Sequence, residues 1–287
     1  MRSRYAFLLV VIALAVLPTA AFAVAIGTLH CNNEVGDNVN VGIAVEVRGV
    51  VTEVAHTNYA WRFYVQDATG GINVYGSIPT GGYCPNLGDD VTVTGTIAQY
   101  RGLTEVGGTV TVTLNSTGNP APAPLALMPA QVNATFQADY CEPNEGLLVQ
   151  LECVYIRMPD GTVPPAGTTF ATGQNYRLVD PNNESSYCIM YVPAAPSTPV
   201  CPAPQPLIDT AIPLTAQSVV GIITQYDGSS PYTSMYEIYP RTLADFEART
   251  SGLSTLSSQV GNILHDFGGE IMRERVLATG ERIDGRR

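Results

Sequence analysis

The sequence predicts an all-β chain made of two small five-stranded barrels in tandem, with a short helical tail. Three observations lead there. Segments of period-two alternation recur between clusters of Gly, Pro, Asn and Asp, as strands between turns do. Glycine (27) and proline (21) are plentiful in the 287 residues and only 14% are charged, so long solvated helices have little material. The two halves also repeat one another at matching positions, which marks a duplicated unit.

Taken in order, the chain opens with a secretory signal. Arg2 and Arg4 precede the apolar run Ala6–Leu17, and Ala21-Phe22-Ala23 is a small-x-small site, so cleavage is expected after Ala23. The apolar run is shorter than the roughly 18 residues of a membrane anchor, and no later segment is long enough to span. A secreted or periplasmic protein is expected, without a membrane span after cleavage. The first domain, 24–114, then has a polar lead-in containing Cys31 and a long strand, Val41–Val54, with Gly49 marking a bulge or bend. Phe63–Tyr75, FYVQDATGGINVY, reads as a hairpin: Phe63, Val65, Ile72 and Val74 alternate toward the core around a Gly70-Gly71 turn. Trp61 alternates with that inner set. A connector with Cys84-Pro85 and Asp89-Asp90 leads to Val91–Ile97 and a last strand, Thr109–Leu114. A bent first strand, a hairpin, a connector and two more strands is the order of an OB barrel, which binds across its second and third strands and adjacent loops.

Residues 115–132, with a PAPAP core, form a proline-rich spacer. The pattern then returns in a second domain, 133–250. GLLVQLECVYI (Gly146–Ile156) lies on Ala44–Val54, NYRLVD (Asn175–Asp180) on RFYVQD (Arg62–Asp67), and the frame Gly-x-Ile-x-Gln-Tyr-x-Gly occurs at Gly95–Gly102 and at Gly221–Gly228. In this export setting six cysteines suggest disulfides. Cys31 and Cys141 each precede the first strand of a copy, and Cys84-Pro85 and Cys201-Pro202 share a connector. Symmetry favours Cys31–Cys84 and Cys141–Cys201, leaving Cys153 and Cys188 as a strand pair or as buried thiols. In the tail, 251–287, Leu253, Leu256, Val260, Ile263 and Phe267 have helical spacing.

The chain has no lysine. From Val24 to Thr250 seven arginines face twenty Asp and Glu, a formal charge of −13, which argues against binding that rests on phosphate neutralisation. The outer face of the first hairpin is the candidate binding surface: Arg62, Tyr64, Gln66, Asn73 and Tyr75, joined by Tyr100 and Arg101. Tyrosines stack bases or sugar rings, and the arginines supply the local charge that the body lacks. In the second copy only Arg177 takes the matching outer place, so a paired face is not expected. Asp67 and Asp180 recur at the hairpin turns as Asx-turn caps, and Asp89-Asp90 reads as a structural turn rather than a cation site. His30, His56 and His265 share no motif, with His56 and His265 expected at the surface. No hydrolase, phosphate-loop, zinc or paired-carboxylate signature is present, so neither a cofactor nor a metal is expected.

GVVTEV, FYVQDATGGINVY, GDDVTVTG and YRGLTEV resemble the nucleic-acid-binding OB domains of exported bacterial nucleases, phosphatases and surface proteins; EPNEGLLVQL and YEIYPRTLADF resemble the opening and closing segments of those domains. The resemblance runs over about Val41–Glu247 in two copies, close in the first and loose in the second. It implies a binding module that accompanies a separate catalytic protein, with single-stranded nucleic acid or an oligonucleotide as ligand. The expectation is therefore an exported module that is not itself an enzyme. The alternative is a structural or surface module that binds glycan, such as an oligosaccharide, or protein. MRERVLATGERIDGRR in the tail is similar to a segment of polynucleotide phosphorylase that precedes its second catalytic half, and brings no catalytic residue with it.

Overall fold

The computed structural model describes residues 23–249 except 56, 58–59, 78–81, 198–200 and 202–206. The expected signal peptide, His56, His265 and the tail helix lie outside the described residues. Five strands close the first barrel in the order β1-β2-β3-β5-β4: β1 Ala44–Val54, β2 Ala60–Gln66, β3 Gly71–Ser77, β4 Asp90–Tyr100 and β5 Leu103–Ser116. The second repeats the order with β7 Leu148–Arg157, β8 Gln174–Asp180, β9 Asn183–Val192, β10 Gln217–Gln225 and β11 Tyr236–Tyr239, closed by pairing of β10 with β7. Two short strands are added outside this barrel. β6 (Leu125–Leu127) runs parallel to β7, and β12 (Phe246–Ala248) runs antiparallel to β10. The strand order is that of an OB fold, twice.

The alternation read from the hairpin places its inner set correctly. Phe63, Val65, Ile72 and Val74 have no exposed surface and pack with Trp61, Val47, Val93 and Val106 in the first core. The second core is built likewise from Val149, Leu151, Tyr176, Leu178, Met190 and Ile223. Asp67 caps the turn as expected, accepting from the Thr69 and Gly70 amides at 2.6 and 2.9 Å through one oxygen. Its other oxygen accepts from Ile26 N at 3.0 Å and so ties down the lead-in, where Ile26–Leu29 forms a 3-10 turn. Asp180 accepts from Asn182 N at 2.8 Å. At the connector, Asp89 accepts from Asn86 N at 2.8 Å and from the Tyr83 hydroxyl, and Asp90 receives Arg48 through both oxygens.

Several expectations are corrected. The β1 register shift falls between Val51 and Glu53, not at Gly49. Gly49 is glycine because a Cβ there would collide with the Gln66 carbonyl of the crossing strand. The last strand of the first barrel is longer than Thr109–Leu114. It begins at Leu103, after a two-residue turn in which Arg101 (φ 53°) and Gly102 (φ 91°) both adopt the left-handed conformation that such hairpins require. The stretch 115–132 is not spacer throughout, since Leu125–Leu127 joins the second sheet and Pro129–Asn133 forms α1.

The cysteine pairing is also corrected. Each half-cystine bonds to its counterpart in the other copy: Cys31 to Cys141 and Cys84 to Cys201. The two barrels face one another, so equivalent positions meet. Cys188 is a buried thiol and Cys153, at φ 55° within β7, is a partly buried one. Among the described residues no helix is long and apolar enough to cross a membrane. The two disulfides are compatible with an extracellular or periplasmic protein.

A candidate ligand cleft between the two barrels

The outer face of the β2–β3 hairpin is not open to solvent. The second barrel covers it. Tyr64 has no exposed surface; it packs with Leu148 and Ile222, and its hydroxyl donates to Thr224 Oγ1 at 2.8 Å. Gln66 Oε1 accepts from Leu148 N at 2.9 Å, supplying the partner that the first amide of β7 needs. Tyr64 and Gln66 are therefore interface residues, and their placement on a ligand surface is corrected. The turn joins in: Gly71 lies against Gly146 so closely that a Cβ on either would strike the other's carbonyl.

Further along the same face the barrels separate and leave a cleft of about 650 Å³. Four of the sequence candidates line it: Arg62, Asn73, Tyr75 and Tyr100. The second barrel supplies the other wall, with Asn175, Tyr191, Gln225, Tyr226, Glu237 and Tyr239. The strand register shows that many of these are counterparts. Arg62 pairs with Tyr75 across the first hairpin, as Asn175 does with Tyr191 across the second. Asn73 sits beside Glu105, which faces Ala98 on β4; Glu237 faces Thr224, which occupies the place of Ala98 in the repeated frame. Tyr100 and Tyr226 are the tyrosines of that frame. Each barrel thus presents its hairpin and its β4–β5 region, or their repeats, to the same space. A paired face exists, contrary to expectation, and it is built from Asn175 and Tyr191. Arg177 stacks on Tyr187 instead, 4.4 Å from the ring centroid.

The rim is aromatic and held by one arginine. Tyr100 and Tyr226 meet edge to face with centroids 6.4 Å apart, and the Arg101 guanidinium lies 4.9 Å from the Tyr226 centroid. Asp227 N donates to the Arg101 carbonyl at 2.8 Å, so the two repeated turns are pinned together. Deeper in the cleft, Arg62 sits over Tyr239 at 4.9 Å, and Tyr239 packs with Tyr191 at 5.4 Å. Two carboxylates share this space. Burial pushes Glu105 up to about 7, against the Asn73 hydrogen bond and Arg62, which pull it down. Burial also pushes Glu237 up to about 7, against Arg62. Asn73 Nδ2 donates to Glu105 Oε2 at 3.1 Å, while Asn73 Oδ1, Asn175 Oδ1 and Gln225 Oε1 are buried without a partner. Buried acceptors left unpaired cost free energy.

Beneath the Cys31–Cys141 bridge lies a second polar cluster, closed and fully packed. His30 Nε2 donates to the Gly71 carbonyl at 2.7 Å, and Nδ1 is 3.0 Å from Glu145 Oε2, which also accepts from Thr104 N at 3.1 Å. Glu142 accepts from Asn32 Nδ2 at 2.6 Å and from the Tyr236 hydroxyl. Three of these bonds, His30 to Glu145, Thr104 N to Glu145 and Asn32 to Glu142, join one copy to the other, so the cluster ties together the two walls of the cleft. His30 is its centre. Sequence reasoning assigned it no role, because nothing local to His30 signals a partner 115 residues away. Among the described residues no group of three or more His, Cys, Asp or Glu side chains is arranged to hold a metal ion.

No family model matches the chain. A match covering 49% of the chain is 31% identical, over 146 aligned positions, to Endonuclease YhcR of Bacillus subtilis (strain 168). It covers 11% of the relative, so the chain spans about a tenth of its length. The match corrects the expectation that the chain is not an enzyme, because the protein it resembles is a named endonuclease. It also agrees with the likeness to nuclease-associated OB domains, as do two five-stranded barrels.

Proposed function

We propose that the chain takes part in nuclease action by holding a single-stranded segment of nucleic acid, with a base inserted in the cleft between the barrels. It does so outside the cytoplasm, after signal cleavage, with barrel domains at 24–114 and 133–250. The observation that carries the reading is the convergence of two OB-type faces on one aromatic cleft. Five tyrosines (Tyr75, Tyr100, Tyr191, Tyr226 and Tyr239) surround it. Aromatic platforms beside a short basic element are how OB folds hold single strands. The formal charge of −13 over Val24–Thr250 limits phosphate contacts, which leaves base stacking as the main source of affinity and Arg62 and Arg101 as the nearby cations. The name of the relative supports the same class of ligand.

Fluorescence anisotropy with labelled single-stranded 12-mers and the full chain tests this. Each stacked base contributes about 1–3 kcal/mol, so Tyr75→Ala with Tyr191→Ala is expected to weaken binding at least tenfold with the circular dichroism spectrum unchanged. Binding equal to wild type in that variant would refute the cleft. If no oligonucleotide binds and a glycan array shows selective capture, the surface-module alternative replaces it.

A further inference from the structure

We infer, resting on the nucleic-acid reading, that the cleft selects guanine, whose Watson–Crick edge donates to the Glu105–Glu237 pair while its O6 and N7 side accepts from Arg62. The argument is one of complementarity. The lining residues carry acceptors: two carboxylates, and, sealed in the wall, three oxygens without a hydrogen-bond partner, Asn73 Oδ1, Asn175 Oδ1 and Gln225 Oε1, the last packed against Gly102. Two of the amides have their orientation set. Asn73 Nδ2 is spent on Glu105, and Gln225 Nε2 is spent on the carbonyls of Tyr232 and Ser234 at 3.2 and 2.9 Å. Their oxygens are thereby the groups left over, and both residues are nearly fully buried. Among the described lining residues the guanidinium is that of Arg62, which stacks on Tyr239, bonds to it, and lowers the pKa of both carboxylates.

A fitting ring therefore offers adjacent donors on one edge and acceptors on another. Guanine alone among the bases has two neighbouring donors, N1–H and the N2 amine, that match a carboxylate fork, with O6 and N7 as acceptors on the adjoining side. Adenine and cytosine each place an acceptor nitrogen beside their amine, and that lone pair would face a carboxylate oxygen. Thymine has one N–H flanked by two carbonyls. A phosphate is excluded from the depth of the cleft by the same carboxylates, so the base enters and the backbone stays at the rim by Arg101.

The test uses the full chain at pH 8 and single-stranded thymine 13-mers carrying one central guanine, inosine, adenine or cytosine, with all-thymine as control. The guanine oligomer is expected to bind on the order of tenfold to a hundredfold tighter than the control. Inosine, which keeps N1–H and O6 but lacks the amine, should fall between. Glu105→Gln and Glu237→Gln, made singly, should reduce the ratio of guanine to all-thymine affinity; a circular dichroism spectrum and urea midpoint like those of wild type report that each variant is folded. Equal binding of all five oligomers, or a preference for another base, overturns the guanine assignment and leaves the nucleic-acid reading intact. A preference undiminished in both variants also overturns it. Failure of every oligomer to bind removes both.

Discussion

Replacing Glu142 by Gln should make the stability of this protein less sensitive to pH. Glu142 has no exposed surface and sits beneath the inter-barrel disulfide. Burial is the main cause that drives its pKa well above the carboxylate range, and the neighbouring Glu145 adds to it; the bonds from Tyr236 and Asn32 pull the other way and lose. The sign follows from linkage. A folded-state pKa raised above the unfolded value gives stability that is fully present below about pH 4.5 and is lost as pH rises through the folded value. A displacement of only two pH units is worth about 3 kcal/mol. Glutamine mimics the protonated acid here. Its oxygen can accept from Tyr236, and its amide can donate to Asn32 Oδ1, which now has no partner, once the Asn32 amide turns over. Urea unfolding followed by fluorescence, with disulfides intact, should place Glu142→Gln within about 1 kcal/mol of wild type at pH 5. It should lead wild type by about 3 kcal/mol at pH 8.5. Glu53, pushed up to about 8 by burial, and the two cleft carboxylates lower stability over the same range in both proteins, so the difference reports Glu142 together with its interaction with Glu145. A gap between the two proteins that is the same at both pH values would refute the assignment of the buried proton to this site.

Two further outcomes follow from the inter-barrel contacts. Gly71→Ala places a methyl group against the Gly146 carbonyl, with backbone on both sides and no flexible side chain to yield; a loss of about 1–3 kcal/mol in urea melts is expected, and an unchanged midpoint would mean the turns do not touch. Cys31→Ser with Cys141→Ser opens a bridge spanning 110 residues, for which the chain-entropy model gives roughly 4–5 kcal/mol; a fall of less than about 1 kcal/mol, or peptide mapping that links Cys31 to Cys84, would count against the facing arrangement.

Period-two alternation settled which side of the β2–β3 hairpin is core, because Phe63, Val65, Ile72 and Val74 leave no other consistent face. It could not settle what covers the opposite side. Tyr64 and Tyr75 lie on the same face, yet one is sealed under Leu148 and Ile222 and the other lines the cleft. The difference comes from where the second barrel sits, which no local pattern encodes. The start of β5 was hidden for a different reason. Its turn uses Arg101 in a left-handed conformation ordinarily left to glycine or asparagine, and Gly107-Gly108 then interrupts the alternation.

The repeat itself encodes part of the site. Aligning Asn175 with Arg62 and Tyr226 with Tyr100 already names wall residues of the second barrel, and the paired cysteine positions already name the half-cystines that meet. What was lacking is the rule that the copies face each other. Under that rule equivalent cysteines bond across the interface rather than within a copy, and equivalent binding faces close on one volume. The same rule explains why buried polar groups meet there: His30 reaches Glu145, and Asn32 reaches Glu142, only across the two copies whose faces supply Tyr75 and Tyr191 to the cleft. Burial of those groups is costly when their bonds are broken, so the interface that forms the cleft resists changes in its width.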